Sequence, residues 1–314
     1  MTARTDLASA RVWVAGHGGM VGSAVWRALE REGVGELVGW RSAELDLTER
    51  DVTVAAAMET RPDIVVVAAA RVGGILANSE EPVEFLRDNV RIQTNVMEAA
   101  HEAGVDRLLF LGSSCIYPRL APQPIRADSL LTGPLEPTND AYAIAKIAGV
   151  LHVQGYRRQH GRHWISAMPT NLYGPGDDFD LRTSHVLPAL IRRFHEARLT
   201  GAAEVTLWGT GTPRREFLHV DDLARACLHL LRHHDGPEPV NVGTGEDLPI
   251  SELAALVAEV VGFEGRIAWD DTKPDGTPRK LLDVTPILEM GWAPSIGLRE
   301  GIAATYAWYA EEHP

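Results

Sequence analysis

Tyr142 and Lys146 stand four residues apart in a stretch of helical periodicity, so both side chains project from one face. An ammonium beside a phenol favours the phenolate and makes the tyrosine a better proton donor or acceptor near neutral pH. Ser113 is expected at the carboxyl end of a strand, the edge where ligands bind in open α/β sheets, and its hydroxyl suits a substrate oxygen. Cys115, two residues on, faces the same side if the segment is extended, and an unperturbed thiol pKa of roughly 8.5 allows proton exchange near neutrality. His185 titrates in the same useful range and follows Ser184, which is placed to cap a helix over 184–198. Taken singly, Cys115 reads as a packed apolar thiol and His185 as a surface imidazole. The ordered set of Ser113, Tyr142 and Lys146 behind a glycine-rich turn is the specific signal.

These groups need a scaffold, and the chain alternates short apolar runs at 12–15, 37–40, 64–70, 108–112 and 164–168 with helical stretches at 20–32, 83–103 and 142–159. That alternation predicts an α/β fold, a parallel sheet wrapped by helices on both faces. The first run enters Gly16-His-Gly-Gly-Met-Val-Gly22. Glycines at 16, 19 and 22 suit a tight turn, a close approach to a pyrophosphate and tight helix packing, with the helix N-terminus supplying N–H donors. After the second run, Trp40-Arg41-Ser42 has no acid to bind a ribose 2'-hydroxyl. Arg41 instead suits a 2'-phosphate, favouring NADP over NAD, and Asp46-Leu47 are placed to hold the adenine edge.

Beyond Asn171 the rhythm changes to a Gly/Pro/Asp loop over 173–180, the helix over 184–198 and a strand over 205–208. A helix over 217–231 and a strand over 240–242 return the chain to the first unit. The division expected is 1–172 with about 216–244 for the nucleotide-binding domain, and 173–215 with about 245–314 for a smaller, discontinuous α/β substrate domain. In the second unit Arg192, Arg193, Arg215 and the segment 273–280 gather positive charge fit for a diphosphate, and Trp208 could stack on a purine. Arg193 is preferred to Arg192, because neighbours on a helix face different ways. Over the whole chain acids prevail, 43 against 30 bases for a net charge of −13, which argues against nucleic acid and anionic membranes as partners. Two cysteines, a polar start and no apolar run of membrane-spanning length predict a soluble cytosolic chain.

The glycine turn, Ser113 and Tyr142-Ala-Ile-Ala-Lys146 resemble the extended type of the short-chain dehydrogenase/reductase superfamily. Five further segments narrow the likeness to its GDP-sugar 3,5-epimerase/4-reductases: Ala69-Ala-Arg-Val-Gly-Gly-Ile-Leu-Ala-Asn78, Leu111-Gly-Ser-Ser-Cys-Ile-Tyr-Pro118, Glu136-Pro-Thr-Asn-Asp-Ala-Tyr142, Met168-Pro-Thr-Asn-Leu-Tyr-Gly-Pro175 and Arg215-Glu-Phe-Leu-His-Val-Asp-Asp222. The resemblance implies a Rossmann-type doubly wound domain and an NADP(H)-dependent enzyme acting on GDP-4-keto-6-deoxy-D-mannose. It implies inversion at C3 and C5 with Cys115 as base and His185 as acid, then reduction at C4 with Tyr142 as proton donor, Lys146 on the nicotinamide ribose and Ser113 assisting. By the same likeness the cofactor meets Gly16, Gly19, Met20, Val21, Gly22, Arg41, Asp46 and Leu47. It also meets Leu111, Gly112, Ser113, Ser114, Lys146, Pro169, Thr170, Asn171, Leu172 and His185, and the substrate meets Arg193, Trp208, Arg215 and Asp275. No metal is implied. Where bacterial relatives often carry a basic residue in the glycine turn, this chain has Gly18, which leaves the 2'-phosphate to Arg41. The long helices at 83–103 and 142–159 resemble the pair that forms a four-helix homodimer interface.

Overall fold

The computed structural model describes residues 7–273 and 275–313; the first six residues of the polar start, Pro274 of the basic segment and Pro314 lie outside the described residues. The first half builds β1 (Arg11–Ala15), α1 (Met20–Arg31), β2 (Glu36–Val38), α2 (Arg50–Thr60), β3 (Ile64–Val67), α3 (Ile75–Glu80), α4 (Pro82–Glu102), β4 (Arg107–Leu111), α5 (Asp140–His160) and β5 (His163–Pro169). Then come β6 (Asn171–Tyr173), α6 (Val186–Thr200), β7 (Glu204–Trp208), β8 (Arg214–Arg215), β9 (Phe217–His219), α7 (Val220–His233) and β10 (Val240–Val242). The C-terminal part adds β11 (Leu248–Pro249), α8 (Ile250–Val261), β12 (Arg266–Asp270), β13 (Arg279–Lys280), α9 (Thr285–Glu289) and α10 (Leu298–Glu312).

Six strands form one parallel sheet in the order β10-β5-β4-β3-β1-β2. β3 and β4 are buried along their whole length, because helices cover both faces and leave no polar side to alternate. The chain steps to opposite sides of β1 for β2 and β3, so a crevice opens at the carboxyl ends of β1 and β3. Helix α1 covers this sheet with Ala24, Val25, Ala28 and Leu29, spaced as one stripe. A second apolar cluster joins α6, α8 and α10 through Leu187, Ile191, Phe194, Leu253, Val257 and Ile302, beside the parallel pair β7–β12. Among the described residues no helix is long and apolar enough to cross a membrane.

Some expectations change. The apolar run at 64–70 is strand only to Val67, and that at 37–40 is strand only to Val38, since each turns into a ligand-side loop. The expected helix at 217–231 divides: Phe217–His219 pairs with β6 as a parallel strand, and the helix starts at Val220. His219 Nδ1 accepts the Asp221 N–H at 3.2 Å, so an imidazole serves as the N-cap. Helix α6 begins two residues later than predicted, with His185 at its N-cap position; Ser184 is no cap, and its buried hydroxyl finds no protein partner.

Candidate active site

The nucleotide cradle is made of backbone. Gly16 holds φ +88°, and a Cβ there would sit 2.6 Å from the Ala69 backbone. A Cβ on Gly22 would lie 2.0 Å from the Gly16 carbonyl oxygen, so this position locks α1 against the turn. Gly18 and Gly19 face open space and the peptide of their own turn. Gly19 is the N-cap of α1 without a side-chain cap, and Met20 and Val21 offer first-turn N–H groups outward. The donor set fits a dinucleotide pyrophosphate. At the rim, Arg41 is exposed, and among the described residues no acid pairs with its guanidinium, while its backbone N–H bonds Glu44 at 2.7 Å. Asp46 closes a turn on Thr48 at 2.9 Å, and the Leu47 carbonyl is held by Asn95 at 2.9 Å. Leu111 and Gly112 end β4, while Pro169, Thr170, Asn171 and Leu172 bridge β5 and β6. There the Thr170 hydroxyl and the Asn171 amide both donate to the Glu216 carbonyl, at 3.2 and 2.8 Å.

Ser113, Cys115, Tyr142 and Lys146 converge beside this cradle. Ser113 is extended, but residues 114–116 wind into a 3-10 turn, so the expected extended segment does not form. Instead the Cys115 N–H donates to Ser113 Oγ at 3.2 Å, and the turn swings the thiol beside the serine. Ser114 is buried behind it. The Tyr142 phenol has its pKa raised by burial and by the neighbouring Cys115, with Ser113 acting in the opposite sense. Lys146 Nζ donates a hydrogen bond to the Leu111 carbonyl at 2.9 Å and lies 5.9 Å from the Tyr142 ring centre. Desolvation pushes Lys146 down to about 8. The expected lowering of the tyrosine by the lysine is therefore absent here, because desolvation dominates both groups. A protonated phenol is what a proton donor requires.

Cys115 Sγ accepts from Asn139 Nδ2 at 3.3 Å and from Lys280 Nζ at 3.5 Å. Its pKa falls below the usual thiol range although burial opposes ionisation, because Lys280 and hydrogen bonds from Ser113, Lys280 and Asn139 outweigh that cost. His185 opens to solvent on one side yet is hemmed in enough that desolvation lowers its pKa, with Lys280 adding to the effect. Its position is set by the loop after β3: the Gly74 N–H bonds the Thr183 carbonyl at 2.6 Å, and a Cβ on Gly74 would lie 2.5 Å from the Ser184 oxygen.

A small sheet, β11-β8-β13, presents cations. In one register pair, Arg214 and Arg279 both bind Asp247, whose side chain is 3% exposed. In the next, Arg215 and Lys280 stand side by side with no ion pair among the described residues. Arg215 is attracted by Cys115, Glu136 and Asp275, though burial lowers its pKa. On α6, Arg192 pairs with Glu196 at 2.7 Å, whereas Arg193, half-buried, has neither ion pair nor hydrogen bond among the described residues. Trp208 is 59% exposed, with Lys273 Nζ 5.6 Å from its ring centre. Asp275 accepts from the Thr210 N–H and hydroxyl, both at 2.8 Å, which ties it to the turn after Trp208.

Sequence reasoning placed Lys280 only within a basic segment fit for a diphosphate, not beside Cys115, and gave Asn139 and the Gly73–Gly74 loop no role in the site. It also missed Asp177, pushed up to about 7 by burial, with one oxygen lacking a protein partner, where Gly176 comes up to Met20. For Lys280 a signal existed, a basic residue closing a Gly/Pro-rich segment.

A family model described as the NAD dependent epimerase/dehydratase family matches residues 12–243. GDP-L-fucose synthase 1 of Arabidopsis thaliana is 58% identical over 301 residues, covering 96% of this chain and 93% of that protein. Among solved structures, a GDP-6-OMe-4-keto-L-xylo-heptose reductase from C. jejuni superposes with a TM-score of 0.94 at 31% identity, over 99% of this chain and 100% of that one. A GDP-L-fucose synthetase from Naegleria fowleri bound to NADP superposes with a TM-score of 0.91 at 28% identity, over 100% and 96% of the two chains. With the glycine cradle, the Ser113–Tyr142–Lys146 group and these full-length likenesses together, the chain belongs to the NAD dependent epimerase/dehydratase family, within its GDP-L-fucose synthase branch.

Proposed function

We propose that this chain converts GDP-4-keto-6-deoxy-D-mannose to GDP-L-fucose, inverting C3 and C5 and then reducing C4. The observation that carries this reading is the Cys115 thiol, held by Asn139 at 3.3 Å and Lys280 at 3.5 Å, with its own N–H on the Ser113 hydroxyl at 3.2 Å. A C4 ketone acidifies the protons on both neighbouring carbons, so inversion needs a base on one face of the ring and an acid on the other. Cys115 takes the proton and His185 returns one from the opposite face. In the reduction Tyr142 donates its phenolic proton to the C4 oxygen, with Ser113 bonding that oxygen. NADPH, when bound, supplies the hydride. The cradle of Gly16, Gly19, Met20, Val21 and Gly22 binds its pyrophosphate, Arg41 its 2'-phosphate and Lys146 the nicotinamide ribose. The stretches 111–114 and 169–172, with His185, line the rest of that site.

Arg193 and Arg215 bind the diphosphate of the sugar nucleotide, as cations with no ion pair among the described residues. Trp208 stacks on guanine and Asp275 holds its loop and the ribose side. The nucleotide-binding domain comprises 1–172 with about 216–244, and the substrate domain 173–215 with about 245–314; two separate apolar clusters support a two-domain division, although Leu282, Val284, Ile287 and Trp292 pack with the first cluster and Phe217 with the second. The chain works as a cytosolic homodimer through α4 and α5, which leave Val83, Leu86, Ile144 and Leu151 exposed. NMR analysis of the product from GDP-4-keto-6-deoxy-D-mannose and NADPH tests the activity: a GDP-6-deoxy-L-galactose product is expected, and a D-configured hexose would reduce the chain to a ketone reductase.

A further inference from the structure

We infer that Lys280 is the positioning residue that keeps Cys115 in its proton-accepting form, because its ammonium reaches the sulfur at 3.5 Å and no carboxylate among the described residues claims it. The inference deepens the reading of Cys115 as the epimerisation base and rests on it.

Every charged or titratable group facing the thiol enters the balance. From α5 comes Tyr142, a neutral phenol. The loop before α5 brings Glu136, whose charge is met by Arg119 at 3.2 Å and whose Oε2 also accepts from Thr277 at 2.9 Å. β8 and β13 bring Arg215, Lys280 and Arg279, and Arg279 is spent on Asp247. What remains is two cations, Arg215 and Lys280, against the sulfur and Asp275, and Asp275 acts on Arg215 while its oxygens are bonded by Thr210. Lys280 is the one that touches the sulfur. The fold makes this arrangement by register: the 214/279 pair turns to Asp247, and the 215/280 pair turns to the pocket. Asn139 and Ser113 add neutral hydrogen bonds to the same sulfur, and these stabilise an anion without supplying charge.

A second consequence involves His185, whose protonation Lys280 opposes while it favours the thiolate. One ammonium thus favours the thiolate that Cys115 needs as base and, against that gain, reduces the share of His185 carrying the proton it must return. Loss of Lys280 should therefore move both limbs of the epimerisation pH profile upward, which a purely structural lysine would not do.

The test needs no sugar. The pH dependence of Cys115 alkylation by iodoacetamide is measured on the full chain for wild type, Lys280→Met and Lys280→Arg. Cys227, the only other cysteine, is fully buried and its thiol is pushed up to about 12, so it stays silent. The wild-type midpoint should lie below the roughly 8.5 of a free thiol. In Lys280→Met it should rise by about one unit or more, slowing alkylation near neutrality about tenfold, and Lys280→Arg should restore most of the loss. Superimposable profiles for wild type and Lys280→Met, with NADPH binding retained, overturn the inference. If Lys280→Met fails to bind NADPH, Lys280→Gln is titrated in its place: a midpoint equal to that of wild type rejects the idea, and a raised one upholds it. Failure of the epimerase reading itself would appear elsewhere, as absent solvent-deuterium exchange at C3 and C5.

Discussion

The cofactor cradle and the sugar pocket meet at Ser113 but are made of different materials. Around Gly16–Gly22 the surface on offer is main chain, and the requirement is that side chains be missing. Around Cys115 it is side chains from the loops after β4 and before α5 and from β13, carried on segments far apart in the chain. A backbone site is damaged by adding atoms, and a side-chain site by removing them. The first should lose binding as a whole, while the second should lose one chemical step at a time.

Removing the Tyr142 hydroxyl gives the largest expected effect. Tyr142→Phe should slow reduction by roughly 10² to 10⁴, the worth of a positioned general acid. Solvent deuterium should still enter at C3 or C5, seen by NMR, and NADPH should bind as before; loss of all three would erase the distinction between the two regions. Adding one methyl at Gly22 comes next. Gly22→Ala should weaken NADPH roughly tenfold to hundredfold in a fluorescence titration, given the usual overpacking cost, and unchanged affinity would mean the turn is not a cradle.

Lys146 sharpens the contrast through stability. With its pKa pushed down from 10.5 to about 8, the folded ligand-free protein binds fewer protons than the unfolded chain between those values. Stability should therefore rise with pH across that window, and below it the buried ammonium is a standing cost. Lys146→Met should raise the melting temperature of the ligand-free protein at pH 7 by the equivalent of roughly 2–3 kcal/mol, a gain that shrinks above pH 8. Equal melting of both proteins at all pH values would contradict it. Arg41→Ala is the smallest change, about tenfold in NADPH affinity with NADH unaffected, since the contact is exposed. Parallel losses for both cofactors would show that Arg41 reads something other than the 2'-phosphate.

Glycines that must be glycines leave a mark in a single sequence, which is why the cradle could be located before any coordinates. The Tyr142–Lys146 spacing was legible for the same local reason. Lys280 and Asn139 were not, because they reach Cys115 from 165 and 24 residues away, through a strand register that no periodicity encodes. The strand Phe217–His219 was read as helix because three apolar-flanked residues ahead of an amphipathic run look like its first turn, and histidine is not a favoured N-cap. The 3-10 turn at Ser114–Ile116 was likewise hidden, and with it the reason that thiol and serine lie together.

The loop that follows β3 touches Gly16 through Ala69 and the segment before His185 through Gly74. Both contacts are main chain to main chain. A genetic screen for separation of function should therefore find alleles at Cys115 or Tyr142 but not in this loop, where one lesion would disturb the surroundings of Gly16 and of His185 together. Complementation between two such loop alleles should fail, since each chain carries both defects at once.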